Sequence, residues 1–174
     1  MTKEELGKNI YDSSYITGEF TLRSGIISNE YFDKYQFESR PELLSEIAKQ
    51  MTALLPDDFD VLAGLEVGGI PIATALSLET GKPVVFVRKK AKEYGTCKFA
   101  EGVDVKDKKV VIIEDVVTSG GQVIFSTEDL RKAGAVIENA LCVINRESGG
   151  TEKLAEADIK LKSLFTMSYL KGNV

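Results

Sequence analysis

Residues 110–122 read VVIIEDVVTSGGQ. Four β-branched residues in a row, 110–113, suit a strand buried on both faces, which is the setting of a parallel sheet. The run ends in two adjacent carboxylates, Glu114 and Asp115, passes Val116 and Val117, and enters Thr118, Ser119, Gly120 and Gly121. In open α/β sheets, ligands lie beyond the carboxyl ends of the strands. Glycines let backbone N–H groups approach an anion closely. A helix predicted over 122–132, stopping at Gly134, adds free donors and a favourable dipole. The pattern suits a sugar phosphate, with the acids on ribose hydroxyls and the turn from Thr118 to Gln122 around the phosphate. Ser119 and Gln122 also fit an S-x-x-Q capping box, which competes for the same N–H groups. A cap leaves the two acids unexplained, and burying both without a ligand is costly.

There is no G-x-x-x-x-G-K-[ST] and no G-x-G-x-x-G, so neither a P-loop nor a dinucleotide fingerprint is present. The 174 residues suffice for one domain with a sizeable core. A net charge of −5 argues against a broad nucleic-acid surface. No apolar stretch approaches the ~18 residues that span a bilayer. The opening MTKEELGKN lacks an apolar signal core, so a cytoplasmic location is expected. Histidine is absent, which removes Ser-His and Cys-His nucleophile schemes and any imidazole acid–base step. Any metal should be hard and oxygen-bound, hence magnesium rather than zinc. Cys97 in a polar loop and Cys142 in an apolar run read as free thiols.

Along the chain, 3–16 is predicted to be a helix ending near Gly18. Two short strands follow, 18–25 and 29–37, the second placing Tyr31, Asp33, Tyr35 and Phe37 on one face. A helix is expected over 39–55, capped by Ser39 with Glu42, with Pro41 near its start and an apolar stripe of Leu43, Leu44, Ile47, Met51, Leu54 and Leu55. Then come strand 60–65, helix 70–78, strand 83–87, a long non-helical stretch 88–107, strand 109–114 with its helix, strand 135–145 and a last strand 159–165. This alternation predicts a single α/β domain with a mostly parallel sheet flanked by helices.

Three further places can carry chemistry. Glu66, Val67, Gly68 and Gly69 follow a core strand, where two glycines allow outward N–H groups that suit an anion; an ordinary βα turn is the alternative. RKKAK, 88–92, puts four basic residues in five within an acidic chain. A solvated charge cluster is the alternative to a mobile loop that closes over pyrophosphate and excludes water. Arg146 ends a strand at the same sheet edge, where its fork suits a carboxylate; pairing with Glu147 or Glu152 is the alternative.

The segment 110–122 resembles the phosphoribosyl pyrophosphate signature of type I phosphoribosyltransferases. Arg88, Lys89, Lys92 and Gly95 resemble the catalytic loop of the orotate phosphoribosyltransferases within that superfamily, with Tyr94 where the family usually has histidine. FTLRSGIISNEYFD, 20–33, resembles the family's hood segment, with Arg23 at a position that is commonly lysine. The resemblance implies the type I phosphoribosyltransferase fold, with a hood from 1–40 and the C-terminal end over a core of about 41–150. It implies transfer from phosphoribosyl pyrophosphate to orotate with Mg2+. Asp115, Glu114, Lys92 and Lys89 would be catalytic. Arg88, Lys89, Lys92, Tyr94, residues 66–69 and residues 114–122 would bind the donor. Thr118, Arg146, Arg23, Tyr31 and Phe32 would bind orotate, although the aromatics also read as hood core. Magnesium would be held mainly by substrate, with Asp115 the one protein group considered for it. A homodimer is implied, with loop 88–102 reaching the neighbouring site. Transfer to another base, purine or uracil, and a non-catalytic sensor of the donor are the rival functions.

Overall fold

The computed structural model describes residues 1–21, 25, 27–91, 93 and 98–172. Helix α1, Lys3–Ser14, opens on a reciprocal cap. Thr2 Oγ1 accepts from Glu5 N at 3.1 Å, and Glu5 Oε2 accepts from Thr2 N at 2.8 Å. It ends earlier than its sequence suggests, because the aromatic and β-branched Tyr15-Ile16-Thr17 belong to strand β1, Tyr15–Thr21. β1 pairs antiparallel with β2, Ile27–Phe32, in a two-stranded hairpin.

The strand expected to run to Phe37 stops at Phe32. Asp33 turns the chain: its carboxylate accepts from Tyr35 N at 3.2 Å and from Gln36 Nε2 at 3.0 Å, starting the short helix α2, Tyr35–Glu38. The alternation is therefore broken, with Tyr35 exposed and Phe37 fully buried. Helix α3, Pro41–Met51, begins at its proline and runs into a 3₁₀ turn at Thr52–Leu54. The Ser39–Glu42 cap does not form, since Arg40 is the cap residue and Ser39 Oγ donates back to Gln36 O.

The remaining chain builds one six-stranded sheet. In chain order it gives β3 Val61–Leu65, α4 Gly69–Thr80, β4 Val84–Val87, β5 Ala100–Gly102, β6 Lys109–Val117, α5 Gly121–Lys132, β7 Val136–Asn145, α6 Gly150–Glu156, β8 Lys160–Thr166 and α7 Met167–Gly172. Across the sheet the order is β5-β4-β3-β6-β7-β8. All neighbours are parallel except β4 with β5, a hairpin at the edge. Strand β5 and helices α6 and α7 had no strong sequence signal, being short.

Both faces of the sheet are covered, which accounts for the unbroken apolar run in β6. Val111 and Ile113 pack with Ile10, Ile47 and Leu76 from α1, α3 and α4. Val110 and Ile112 pack with Val123, Leu130 and Leu154 from α5 and α6. The strand order reverses between β3 and β6, since β4 lies to one side of β3 and β6 to the other. Such a reversal opens a crevice beyond the carboxyl ends of the strands, where α/β folds bind ligands.

Candidate active site

Two turns meet at that reversal. After β3 the chain passes Glu66, Val67 and Gly68 into α4, and the Glu66–Val67 peptide is cis. No side chain caps α4; Ile70 N donates within the turn to Val67 O at 3.2 Å, and Pro71 carries no N–H. Gly69 lies against Ile113 O of β6 so closely that any Cβ would collide with that carbonyl. Glu66 Oε1 accepts from Lys89 N, which ties the start of the basic loop to this turn. Arg88 points the other way, pairing with Glu101 at 3.5 Å across the β4–β5 hairpin.

The second turn follows β6. Gly120, at φ 76°, is the N-cap of α5, and no side chain caps this helix. The S-x-x-Q box is therefore not made; Gln122 Nε2 donates instead to Ser126 Oγ at 3.1 Å. The N–H groups for which box and anion competed stay open toward a hollow of about 240 Å³. That hollow is lined by Glu114, Val116, Val117 and residues 118–123. Thr118 lies in this loop, separate from the hollow that holds Arg146 and the hood aromatics. Gly150 packs against Thr118 O, so the start of α6 buttresses the loop from behind.

Between the turns, Asp115 is fully buried and Glu114 nearly so. They do not stand alone. Lys34 forms an ion pair with Asp115 Oδ2, and the buried Glu38 approaches the same carboxylate. Burial would raise Asp115, but hydrogen bonds from Glu114, then Lys34 and Glu38, outweigh it and hold it below the usual carboxylate range. Burial, followed by the charge of Asp115, pushes Glu114 well up. Burial, then the hydrogen bond with Asp115 and the charge of Asp115, raise Glu38 to about 9. Burial pulls Lys34 down, yet its Asp115 partner leaves it above the ordinary lysine value. The cluster thus holds one carboxylate charge, on Asp115, against one ammonium. Apart from the Lys34 pair, Asp115 Oδ2 and Glu38 Oε1 lack other hydrogen-bond partners among the described residues. A proton carried by Glu38 satisfies both.

This arrangement sets a pH dependence. Folded Glu38 keeps its proton to about pH 9, whereas an ordinary glutamate releases it near 4.5. Stability from this group is complete below about 4.5 and is lost as pH rises to about 9. Glu38→Gln mimics the protonated acid and should flatten the fall in unfolding midpoint across that window, leaving the part due to Glu114. An unchanged slope in metal-free buffer would show that Glu38 is ionised in the folded protein.

A third hollow, of about 280 Å³, lies where the hood meets the sheet edge. Tyr31, Phe32 and Arg146 line it together, with Tyr15, Ser28, Glu30, Met167 and Lys171. Arg146 N donates to Val117 O at 2.8 Å, fixing the arginine beside the phosphate loop. The acid next to it is engaged elsewhere: Glu147 accepts from Ser168 N and Ser168 Oγ, both at 2.8 Å. Tyr31 packs on Phe20 with ring centroids 5.5 Å apart, and Phe32 packs partly on the core, so both aromatics serve the hood as well as the hollow. Arg23, Lys92, Tyr94, Gly95 and Cys97 lie outside the described residues.

The comparisons with known proteins agree with this geometry. Residues 36–166 match the phosphoribosyl transferase domain. An orotate phosphoribosyltransferase from a Nocardioides species is 52% identical over 155 residues, covering 89% of this chain and 87% of that one. The chain belongs to the orotate phosphoribosyltransferases. A family member from Methanocella arvoryzae is 44% identical, covering 89% of each chain. The fold agrees too: a crystal structure of the family's Mycobacterium tuberculosis H37Rv enzyme superposes with a TM-score of 0.88 at 26% identity, covering 97% of this chain and 98% of that one.

Sequence reasoning missed Lys34, Glu38, Tyr15, Glu30 and Lys171. Lys34 and Glu38 are four residues apart and share one side of the α2 turn, a signal hidden by reading 29–37 as a strand. The C-terminal residues gave no motif, yet α7 brings Met167 and Lys171 to the third hollow.

Proposed function

We propose that this protein transfers ribose 5-phosphate from phosphoribosyl pyrophosphate to N1 of orotate, giving orotidine 5′-monophosphate and pyrophosphate. The observation that carries the reading is the shared edge. The phosphate loop, the Glu66–Gly68 turn and the Arg146 hollow all lie at the carboxyl edge of the parallel sheet, the first two at the strand-order reversal. The 5′-phosphate is assigned to Thr118, Ser119, Gly120, Gly121 and Gln122, and pyrophosphate to the turn at Glu66, Val67, Gly68 and Gly69. Orotate is assigned to Arg146, Tyr31 and Phe32.

Glycosyl transfer of this kind passes through an oxocarbenium-like state. Asp115, the ionised member of its cluster, holds ribose hydroxyls and favours the developing cation, with Glu114 beside it. Lys89 and Lys92 stabilise the departing pyrophosphate, and Tyr94 supplies a neutral donor where the family usually has histidine. Orotate N1 is acidic enough that a strong base is not required, which suits a chain without histidine.

Magnesium belongs to the proposal. The donors are hard carboxylates, of the type it takes. No cluster of three or more His, Cys, Asp or Glu suited to a metal occurs among the described residues, and Lys34 already neutralises Asp115. The ion would therefore be held mainly by substrate oxygens, with Asp115 the protein group beside it. When bound it adds charge stabilisation to the leaving pyrophosphate. We also propose a cytoplasmic homodimer in which loop 88–102 reaches the neighbouring site. No helix among the described residues is long and apolar enough to cross a membrane.

Arg146→Ala tests the base assignment. It should raise KM for orotate roughly tenfold or more, the scale of a lost charged hydrogen bond, with KM for the donor little changed. An unaltered orotate KM would move the base to another hollow.

A further inference from the structure

The hood hollow holds a second cation that the reaction as described leaves unused. Lys171 Nζ donates to Glu30 Oε1 at 3.0 Å, and Tyr15 OH donates to Glu30 Oε2 at 2.7 Å. All three residues line the hollow that holds Arg146. The fold sets the position of Lys171. Ser168 is clamped by Glu147, the residue after Arg146, through two hydrogen bonds of 2.8 Å. Tyr169 N donates to Thr166 Oγ1 at 3.2 Å, and Leu170 is buried in the core. Helix α7 is thus fixed against the end of β7, and its lysine reaches the hood from the opposite wall.

We propose that Lys171 is a specificity-determining residue that binds the carboxylate of orotate together with Arg146, and that Glu30 is its counter-ion until the substrate carboxylate replaces it. The proposal rests on the reading that this hollow takes orotate. The charges favour exchange. Among the described residues that line the hollow, Arg146 and Lys171 carry two positive charges and Glu30 one negative, so one positive charge is left for an anionic base. Glu30 can release Lys171 without losing all its partners, because Tyr15 holds its other oxygen. Hydrogen bonds from Tyr15 and then Lys171, with Arg146 acting at longer range, hold Glu30 below the usual glutamate value, as expected of a carboxylate among cations. Uracil, which lacks the carboxylate, offers nothing to take the place of Glu30, so the exchange discriminates between the two pyrimidines.

Steady-state kinetics on three variants test this. Lys171→Met should raise KM for orotate about fivefold to tenfold, the scale of a partly exposed charged hydrogen bond. Its kcat, its KM for phosphoribosyl pyrophosphate and its unfolding midpoint should stay close to those of the parent. Lys171→Arg should recover most of the loss. Glu30→Gln should lower KM for orotate, because it removes the competing carboxylate. A latch with no part in recognition gives the opposite sign for Glu30, so a rise in orotate KM with both Glu30→Gln and Lys171→Met overturns the proposal. Unchanged orotate KM in Lys171→Met overturns it as well. Failure of the parent protein itself to turn over orotate, with turnover of another base, would instead overturn the functional reading.

Discussion

Asp115→Asn is expected to lower kcat by about 100- to 1,000-fold, the loss typical of removing one preorganised electrostatic group. The substitution keeps shape and size and removes only the charge. Of the three neighbouring carboxyls, Asp115 alone is held ionised, while Glu114 and Glu38 are pushed toward their protonated forms. No other group in the cluster can take over its negative charge near neutral pH. The substitution also leaves the Lys34 ammonium without its partner in a half-buried place, which lowers stability. Lys34→Met combined with Asp115→Asn separates the two effects. The double variant should regain the unfolding midpoint and stay inactive. Recovery of turnover with stability would mean that the carboxylate serves only to neutralise the lysine.

Gly68→Ala should have the next largest effect, roughly a 100-fold fall in kcat/KM with the fold intact. Gly68 has ordinary backbone angles, φ −71° and ψ −29°, so alanine is not strained there. The obstacle is a neighbour. A Cβ would overlap the Asp115 carboxylate and lie 2.9 Å from Glu38 Oε1. A side chain can yield, so the carboxylate is displaced and the protein still folds. Displacing a catalytic group by about 1 Å can cost two orders of magnitude in rate. Gly69→Ala is a different experiment, because its Cβ meets the backbone carbonyl of Ile113 and the β3–β6 contact itself must open. Parent-like kinetics for Gly68→Ala would place the working carboxylate elsewhere.

Some of this site was legible in the sequence, for physical reasons. A strand buried on both faces must be apolar throughout, so β6 stood out, and so did the acids that end it. The competition between a cap and an anion at Ser119 and Gln122 was visible, but only the three-dimensional turn at Gly120 shows that the cap is not made. Arg146 stood out in the sequence because it follows a strand at the carboxyl edge of the sheet, and the structure places it beside Tyr31 and Phe32. The hood was harder. Its hairpin is mostly exposed and carries little periodic signal. The alternation from Tyr31 to Phe37 was real, yet the Asp33 carboxylate bent the chain into α2 and brought Lys34 to Asp115. Lys171 was invisible because it lies 141 residues after Glu30, and only the docking of α7 brings the two together.

The most direct measurement is the absorbance change on orotate consumption, with purified protein, phosphoribosyl pyrophosphate and magnesium, run beside uracil and purine bases. The account predicts steady loss of orotate with stoichiometric pyrophosphate, strictly dependent on the donor and far faster than with any other base. Turnover of a purine or uracil with orotate untouched would contradict it, as would donor binding without consumption of any base.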